Sequence, residues 1–443
     1  MVHPPRRQPG RPVRRRARLE PRTVSGTGRR PETCAVVGGG IVGAACAFRL
    51  QRAGFGVTLL DPGDPRRAAA YGNIGHIAAE QCAPLASLSS LASFPSRLFA
   101  FGGPLDFRLR DVGLWLPWAA RFAAASLPRR HAAGVQALTG LLGPALDAWP
   151  ELADQAELPP GSVRAEGHGA VWFDPARAAK GMAAWETAPR GSVSIRPMSG
   201  DELDAYGETL SRAPAGGLRF EGTGQVSDPG GLHQGLLKAF ETAGGRVVQA
   251  SVRDLAASPD GVRVDMEGRE PVAADLALVA AGAGSARVLR GLGASAPLIG
   301  ERGYSIQSLR HGWPGTLPLT VFEEMSVVAA AFDSGLRLSG MVEIGSPYAP
   351  PDARKWERLE SQAKALGLPM DGPLDRWCGP RPTLPDYLPA IGRLEAAPNV
   401  LYAFGHQHLG LTSAAVTAGW IETLARGEAQ PEELAAFRVE RFG

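Results

Sequence analysis

The chain has 443 residues, 44% hydrophobic and 21% charged, enough length for two or three domains and the composition of a globular protein. No stretch reaches the roughly 18 uninterrupted apolar residues of a membrane-spanning helix, because Arg, Pro, Gly or Asp breaks each run. The net charge of +3 is uneven: residues 1–32 hold ten Arg against Glu20 and Glu32, a local +8, which leaves −5 on the remainder.

Residues 1–32 are dominated by Arg, Pro and Gly with almost nothing to bury, so a disordered arm is expected there. A signal, a nucleic-acid tail and a non-functional extension compete as readings. A twin-arginine or secretory signal needs an apolar segment after its arginines, and residues 17–30 contain none. No aromatic residue interleaves to stack on bases, so nucleic acid is not expected as a partner. A solvated tail or a misassigned start is favoured. Cys34, Cys46, Cys82 and Cys378 are scattered without metal-ligand spacing, so neither a metal site nor a disulfide framework is expected, and a reducing cytoplasm fits.

The first ordered element is a short apolar strand at 34–37 that runs into Gly38-Gly39-Gly40-Ile41-Val42-Gly43. A helix is expected over 41–53, with small residues on its early turns, Gly54 as its C-terminal cap, and a buried strand at 57–60 ending on Asp61. In a strand–loop–helix of this kind Gly38 permits the tight turn, Gly40 lets a pyrophosphate approach the backbone, and Gly43 lets helix and strand pack closely. The free N–H groups of the helix N-terminus, with those of Ile41 and Val42, face phosphate. Asp61 lies 21 residues beyond Gly40, placed to accept ribose hydroxyls, and its charge disfavours a 2′-phosphate. The loop alone does not separate FAD from NAD.

Residues 71–77 read Tyr-Gly-Asn-Ile-Gly-His-Ile, where Gly72, Asn73 and Gly75 tolerate unusual backbone angles. Residues 91–127 are rich in Phe, Trp and Pro, and 135–149 predict one amphipathic helix. Helical periodicity returns at 233–243, followed by Gly244-Gly245 and a strand at Val247-Val248. An alternating strand is expected at 262–264, and 274–281 is a continuous apolar run, as in a strand covered on both faces, ending at Gly282. Segments 326–330 and 337–343, within 303–343, predict antiparallel strands.

Near the end, Arg381 stands between Pro380 and Pro382, a stiff setting for a guanidinium able to grip a carboxylate through two parallel bonds. A surface ion pair with Asp386 is the alternative. A strand at 401–405 and a small-residue helix at 411–424 follow, and the helix N-terminus near Gly410 could direct its dipole at developing negative charge.

The glycine loop, the segment 71–77, the tract Gly379-Pro-Arg-Pro-Thr-Leu-Pro-Asp386 and the end Gly405-His-Gln-His-Leu-Gly410 together resemble the D-amino-acid oxidase/dehydrogenase family across 33–443. The resemblance implies an α/β fold, α+β overall: an interrupted Rossmann-like FAD-binding domain with a second substrate domain on an antiparallel sheet. Expected boundaries are 33–92, 216–292 and 376–443 for the FAD domain, and 93–215 and 293–375 for the substrate domain. It implies non-covalent FAD held by Gly38, Gly40, Ile41, Val42, Gly43, Asp61, Asn73, Gly75, His76, Val248, Gly282, Gly405, His406, Leu409, Gly410 and Leu411. Arg381 matches the family arginine that binds the substrate carboxylate, with Tyr304 and His408 as further site residues and Glu343 and Tyr348 as weaker candidates. The local pattern departs from the family at Leu384, where Thr is usual. Cys378 falls one residue out of register with relatives that attach flavin through cysteine, so unlinked FAD is expected.

The implied activity is hydride removal from the Cα of a D-amino acid or a cyclic, hydroxyproline-like imino acid, giving an imine; orientation supplies most of the catalysis, so the histidines line the site rather than act as bases. Dehydrogenase ranks above oxidase on similarity alone, and the electron acceptor is open among a quinone, another carrier and O2. A sarcosine-type secondary-amine oxidase or 2-hydroxyacid dehydrogenase is the second enzymatic reading, and a flavin-binding interaction protein the non-enzymatic one. Peripheral membrane contact is left open.

Overall fold

The computed structural model describes residues 31–64, 66 and 68–443. Most of the expected disordered arm, residues 1–30, lies outside the described residues.

Two large sheets organise the chain. The first has six strands in the order Arg246–Gln249, Gly56–Asp61, Thr33–Val37, Leu276–Val279, Val400–Phe404 and Ala390–Arg393. All neighbours are parallel except the last pair. The central strands are buried on both faces, which is why they read as unbroken apolar runs rather than alternating ones. Helices Ile41–Arg52 and Gly410–Arg426 pack against each other and against this sheet, with the small residues Ala44, Ala45, Ala47, Ala414 and Ala418 buried in the core they share. The other face is covered by an antiparallel meander, Val252–Ser258, Gly261–Met266 and Arg269–Ala274.

The second sheet has nine strands dominated by the long antiparallel set Met370–Thr383, Ile299–His311, Gly335–Gly345 and Val327–Phe332. A small three-stranded sheet, His76–Ile77, Gly224–Val226 and Val163–Arg164, links the two.

Three details differ from the sequence reading. Residues 135–149 are not one helix: Pro128–Leu142 and Ala145–Gln155 meet at Gly143-Pro144, because Pro144 has no N–H to continue the ladder. Strand Gly216–Glu221 pairs with His168–Trp172 and Ser194–Pro197 in the nine-stranded sheet, so the boundary expected at 215/216 falls before a strand of the other domain. Strand Met370–Thr383 runs through the boundary expected at 375/376. An alternating stretch does not disclose which sheet it will join. All four cysteines are free thiols, and among the described residues no helix is long and apolar enough to cross a membrane.

Candidate active site

A cleft of about 950 Å³ runs from the glycine loop, across the ends of the parallel strands, to Arg381. Its near end is built by three glycines with different tasks. Gly38 has φ +104°, and a Cβ there would lie 2.5 Å from the Ala280 carbonyl oxygen. A Cβ on Gly43 would lie 1.9 Å from the Gly38 carbonyl oxygen, so the helix sits directly on the strand end. Gly40 is the reverse: a Cβ there meets nothing within 4 Å, so backbone is bared to the cleft just ahead of the N–H groups of Ile41 and Val42.

Asp61 closes this end. One carboxylate oxygen accepts from Gly39 N–H at 2.7 Å and the other from Gly63 N–H at 2.8 Å. Each oxygen keeps a further lone pair for a ribose hydroxyl. His233, which the sequence reading missed, braces the loop from below: its Nε2 lies 2.5 Å from the Gly39 carbonyl oxygen, and burial pushes its pKa down. Gly282 lines the cleft with φ +54°. Val248 does not reach it; its side chain joins the core while Val247 and Gln249 on either side line the cleft, as strand alternation requires.

The segment 71–77 passes the middle of the cleft. Asn73 Oδ1 accepts from Gly75 N–H at 2.7 Å, and Gly75 has φ +74°, where a Cβ would meet the Phe332 ring at 2.5 Å. Arg337, also missed, is buried and donates to the carbonyls of Tyr71 and Asn73, fixing the loop from the second sheet. Burial holds its guanidinium down to about 10. An arginine inside an alternating apolar strand was the available signal. Asn73 lines the cleft, whereas the His76 ring turns away and packs edge-on against His168.

At the far end the strand register sets Glu301 directly opposite Arg381. Glu301 is 3% exposed; one oxygen takes Arg381 Nη1 at 3.3 Å, and the other accepts from Thr383 Oγ1 at 3.1 Å and Tyr387 Oη at 3.0 Å. The guanidinium lies across Gly303, where a Cβ would come within 2.8 Å, and remains 24% exposed toward the cleft. Asp386 is not its partner; that carboxylate pairs with Arg441 at 2.7 Å.

Tyr304 is not at this site. One position along the strand from Gly303, it faces the opposite side of the sheet, is fully buried, and accepts from Asp352 N–H at 3.0 Å beside Trp356. Glu343 is on that side too, buried in an ion pair with Arg302. Tyr348 is exposed and lines the cleft beside Pro347. Cys378 turns its sulfur toward Arg302, and burial pushes its thiol up.

The segment 405–411 forms the floor. Gly405 has φ +79° and a bridge joins His406 to Thr383, which ties the floor to the Arg381 strand. His406 is buried against Thr417 Oγ1 at 3.2 Å, and burial holds it down to about 3. His408 Nε2 lies 2.6 Å from Gln81 Oε1; burial first, and then the Arg381 charge, hold it down to about 4 against the opposing pull of Glu301. Both rings are therefore neutral near pH 7. Gly410 and Leu411 line the cleft, and Leu409 is buried in the core.

A long trough with bared backbone, a helix N-terminus and an acid at one end and a partly exposed arginine at the other fits a dinucleotide with a carboxylated molecule beyond it. The FAD dependent oxidoreductase (DAO) family profile matches residues 33–424. The chain is 30% identical over 418 residues to a D-amino-acid oxidase of Bradyrhizobium diazoefficiens, covering 92% of this chain and 98% of that one. It is 28% identical over 432 residues to D-amino acid dehydrogenase 2 of Ralstonia nicotianae, covering 92% and 99%. Among solved structures, glycine oxidase from Geobacillus kaustophilus superposes with a TM-score of 0.69 at 20% identity, covering 93% of this chain and 98% of that one, a likeness of fold. The chain belongs to the DAO family of FAD-dependent oxidoreductases, and its cofactor is FAD.

Proposed function

We propose that the chain oxidises a D-amino acid or a cyclic, hydroxyproline-like imino acid at Cα, giving an imine that water hydrolyses. The observation that carries this reading is Arg381, partly exposed to the cleft and anchored by the buried Glu301. Glu301 occupies one edge of the guanidinium, so the remaining N–H donors are left for a substrate carboxylate. Pro380 and Pro382 stiffen the strand on either side, so the arginine is preorganised. Bound FAD supplies the two-electron acceptor for the hydride leaving Cα. His408 is not among the residues lining the cleft and its Nε2 is engaged with Gln81, so it takes no part in this reading, whereas Tyr348 at the cleft edge can cover the bound molecule. Pyrophosphate would lie on the loop at Gly38, Gly40 and Gly43, with Asp61 on the ribose. The raised Cys378 thiol supports an unlinked flavin, since attachment needs a thiolate. Arg381→Leu tests the assignment: flavin content should persist while KM for a carboxylated amine rises.

We also propose that the enzyme works in the cytoplasm on an anionic bilayer surface. The four free thiols support that compartment. Helix Leu88–Arg97 buries none of its residues, and Leu88, Leu91 and Phe94 are exposed together with Phe101, Leu109, Val112, Leu114 and Leu116. Residues 85–130 carry six Arg against two Asp, a local +4 on a body that is otherwise negative beyond residue 32. Exposed apolar side chains in an arginine-rich segment favour the interface of an anionic membrane. The protein should sediment with phosphatidylglycerol vesicles, and less with phosphatidylcholine ones. Leu109→Asp with Leu114→Asp should abolish that; equal sedimentation of wild type and variant would overturn it.

A further inference from the structure

Where the small linking sheet meets the nine-stranded sheet, three side chains unused by the proposed reaction converge. His76 opens the short strand His76–Ile77, Glu80 follows four residues later, and His168 opens the strand His168–Trp172. Glu80 and His168 are buried, and the His76 side chain is 9% exposed. His76 Nε2 and Glu80 Oε2 lie 3.8 Å apart, too far for a hydrogen bond, and neither atom has a hydrogen-bond partner among the described residues. One ligand-capable atom from each of the three residues lies within 4.8 Å of the other two. His168 is already oriented: its Nδ1 lies 2.9 Å from Thr223 Oγ1 and its ring stacks on Phe220 at 4.2 Å, which leaves Nε2 as its free nitrogen. Buried polar atoms without partners call for an explanation, and a bound ion is one of the few available.

We propose that His76, Glu80 and His168 bind one divalent transition-metal ion, zinc being the best match. Two imidazoles and one carboxylate are the donor set of a three-ligand zinc site. Ligand bonds of about 2.0–2.2 Å would bridge the 3.8 Å gap between His76 and Glu80. The Thr223 contact is the outer-sphere brace that metal-bound histidines usually carry. The ion would clamp segment 76–80 to the nine-stranded sheet, with a fourth position left for water. The other acidic cluster, Asp106, Glu343 and Asp352, is not comparable, because Lys355 Nζ fills its centre at 2.7, 2.9 and 3.0 Å.

The test is titration of chelator-treated, FAD-loaded protein with zinc chloride and, separately, cobalt chloride, followed by metal analysis after gel filtration and by the thermal midpoint. The expected result is one ion per chain and a raised midpoint, with visible d–d bands for cobalt. His168→Ala and Glu80→Gln should weaken zinc binding by about 100-fold or more, while His131→Ala, outside the cluster, should bind as the wild type does. Flavin content reports whether each variant has folded. Wild-type protein that retains no ion at one per chain would overturn the proposal whatever the variants do. Zinc binding that survives both cluster substitutions would overturn it as well.

Discussion

Gly40 and Gly43 sit three residues apart in one loop, yet their surroundings predict opposite consequences of adding a single methyl group. Gly43→Ala places a Cβ 1.9 Å from the Gly38 carbonyl oxygen, where only backbone could give way. Overpacking against side chains costs about 1–3 kcal/mol, and a rigid carbonyl raises this to about 3 kcal/mol or more. The apoprotein itself should be destabilised. Gly40→Ala adds a Cβ that meets nothing, at a φ of −63° that alanine adopts freely. Alanine is a poorer N-cap by up to about 1 kcal/mol, but it removes about 0.4–1 kcal/mol of unfolded-chain entropy. Apoprotein stability should therefore stay within about 1 kcal/mol of wild type. The same methyl would occupy the space into which the pyrophosphate packs, so FAD affinity should drop by about 5- to 150-fold, the equivalent of about 1–3 kcal/mol. Urea denaturation of the apoproteins and fluorescence titration with FAD measure the two effects separately. A Gly40→Ala protein that binds FAD as tightly as wild type would refute the assignment of this loop.

Arg381→Leu should raise KM for the carboxylated substrate about 10- to 150-fold, from about 1.5–3 kcal/mol of charge-assisted bonding, with flavin content unchanged; steady-state kinetics would show it. Tyr304→Phe loses the bond from Asp352 N–H and the hydroxyl's contact with Cys378, so about 1–2 kcal/mol of stability should go while KM and kcat hold; a tenfold change in KM would return Tyr304 to the site. His406 and His408 are held near 3 and 4, below the ordinary histidine value, so between pH 6.5 and 4 the unfolded chain takes up protons that the folded chain does not. Both therefore cost stability as pH falls through that window, and His406→Gln should flatten the acid side of a plot of urea midpoint against pH. Gly75→Ala, at φ +74° with Phe332 at 2.5 Å, should distort the 71–77 loop and lower both the melting temperature and flavin content.

The nucleotide half of the fold was legible because local rules govern it. A strand, three glycines, a helix and an acid lie within residues 33–61, and the two-sided burial of Leu276–Val279 and Val400–Phe404 leaves continuous apolar runs. The second sheet was less legible: Gly216–Glu221 alternates like any half-buried strand, and its partners lie about 20 to 50 residues away. The site divides the same way. Arg381 stood out through its two prolines, but its counter-ion Glu301 is 80 residues distant and emerged only from the register. Tyr304 was misplaced because a one-residue step in a strand reverses the side chain, and the sequence around it does not say which face meets the cleft. Arg337 and His233 act on backbone carbonyls; the arginine was marked only by its place in an alternating apolar strand, and His233 by nothing in the chain.

The central claim, an FAD enzyme that grips a carboxylate and oxidises the adjacent carbon bearing an amine, is tested most directly by anaerobic mixing. FAD-loaded protein would be challenged with neutral D-amino acids, D-proline, hydroxyprolines, sarcosine and a 2-hydroxyacid while the flavin absorbance is followed. A D-amino or cyclic imino acid should bleach the flavin, and Arg381→Leu should suppress the bleaching. Reduction by none of the carboxylated amines, or bleaching undiminished in Arg381→Leu, would contradict that claim.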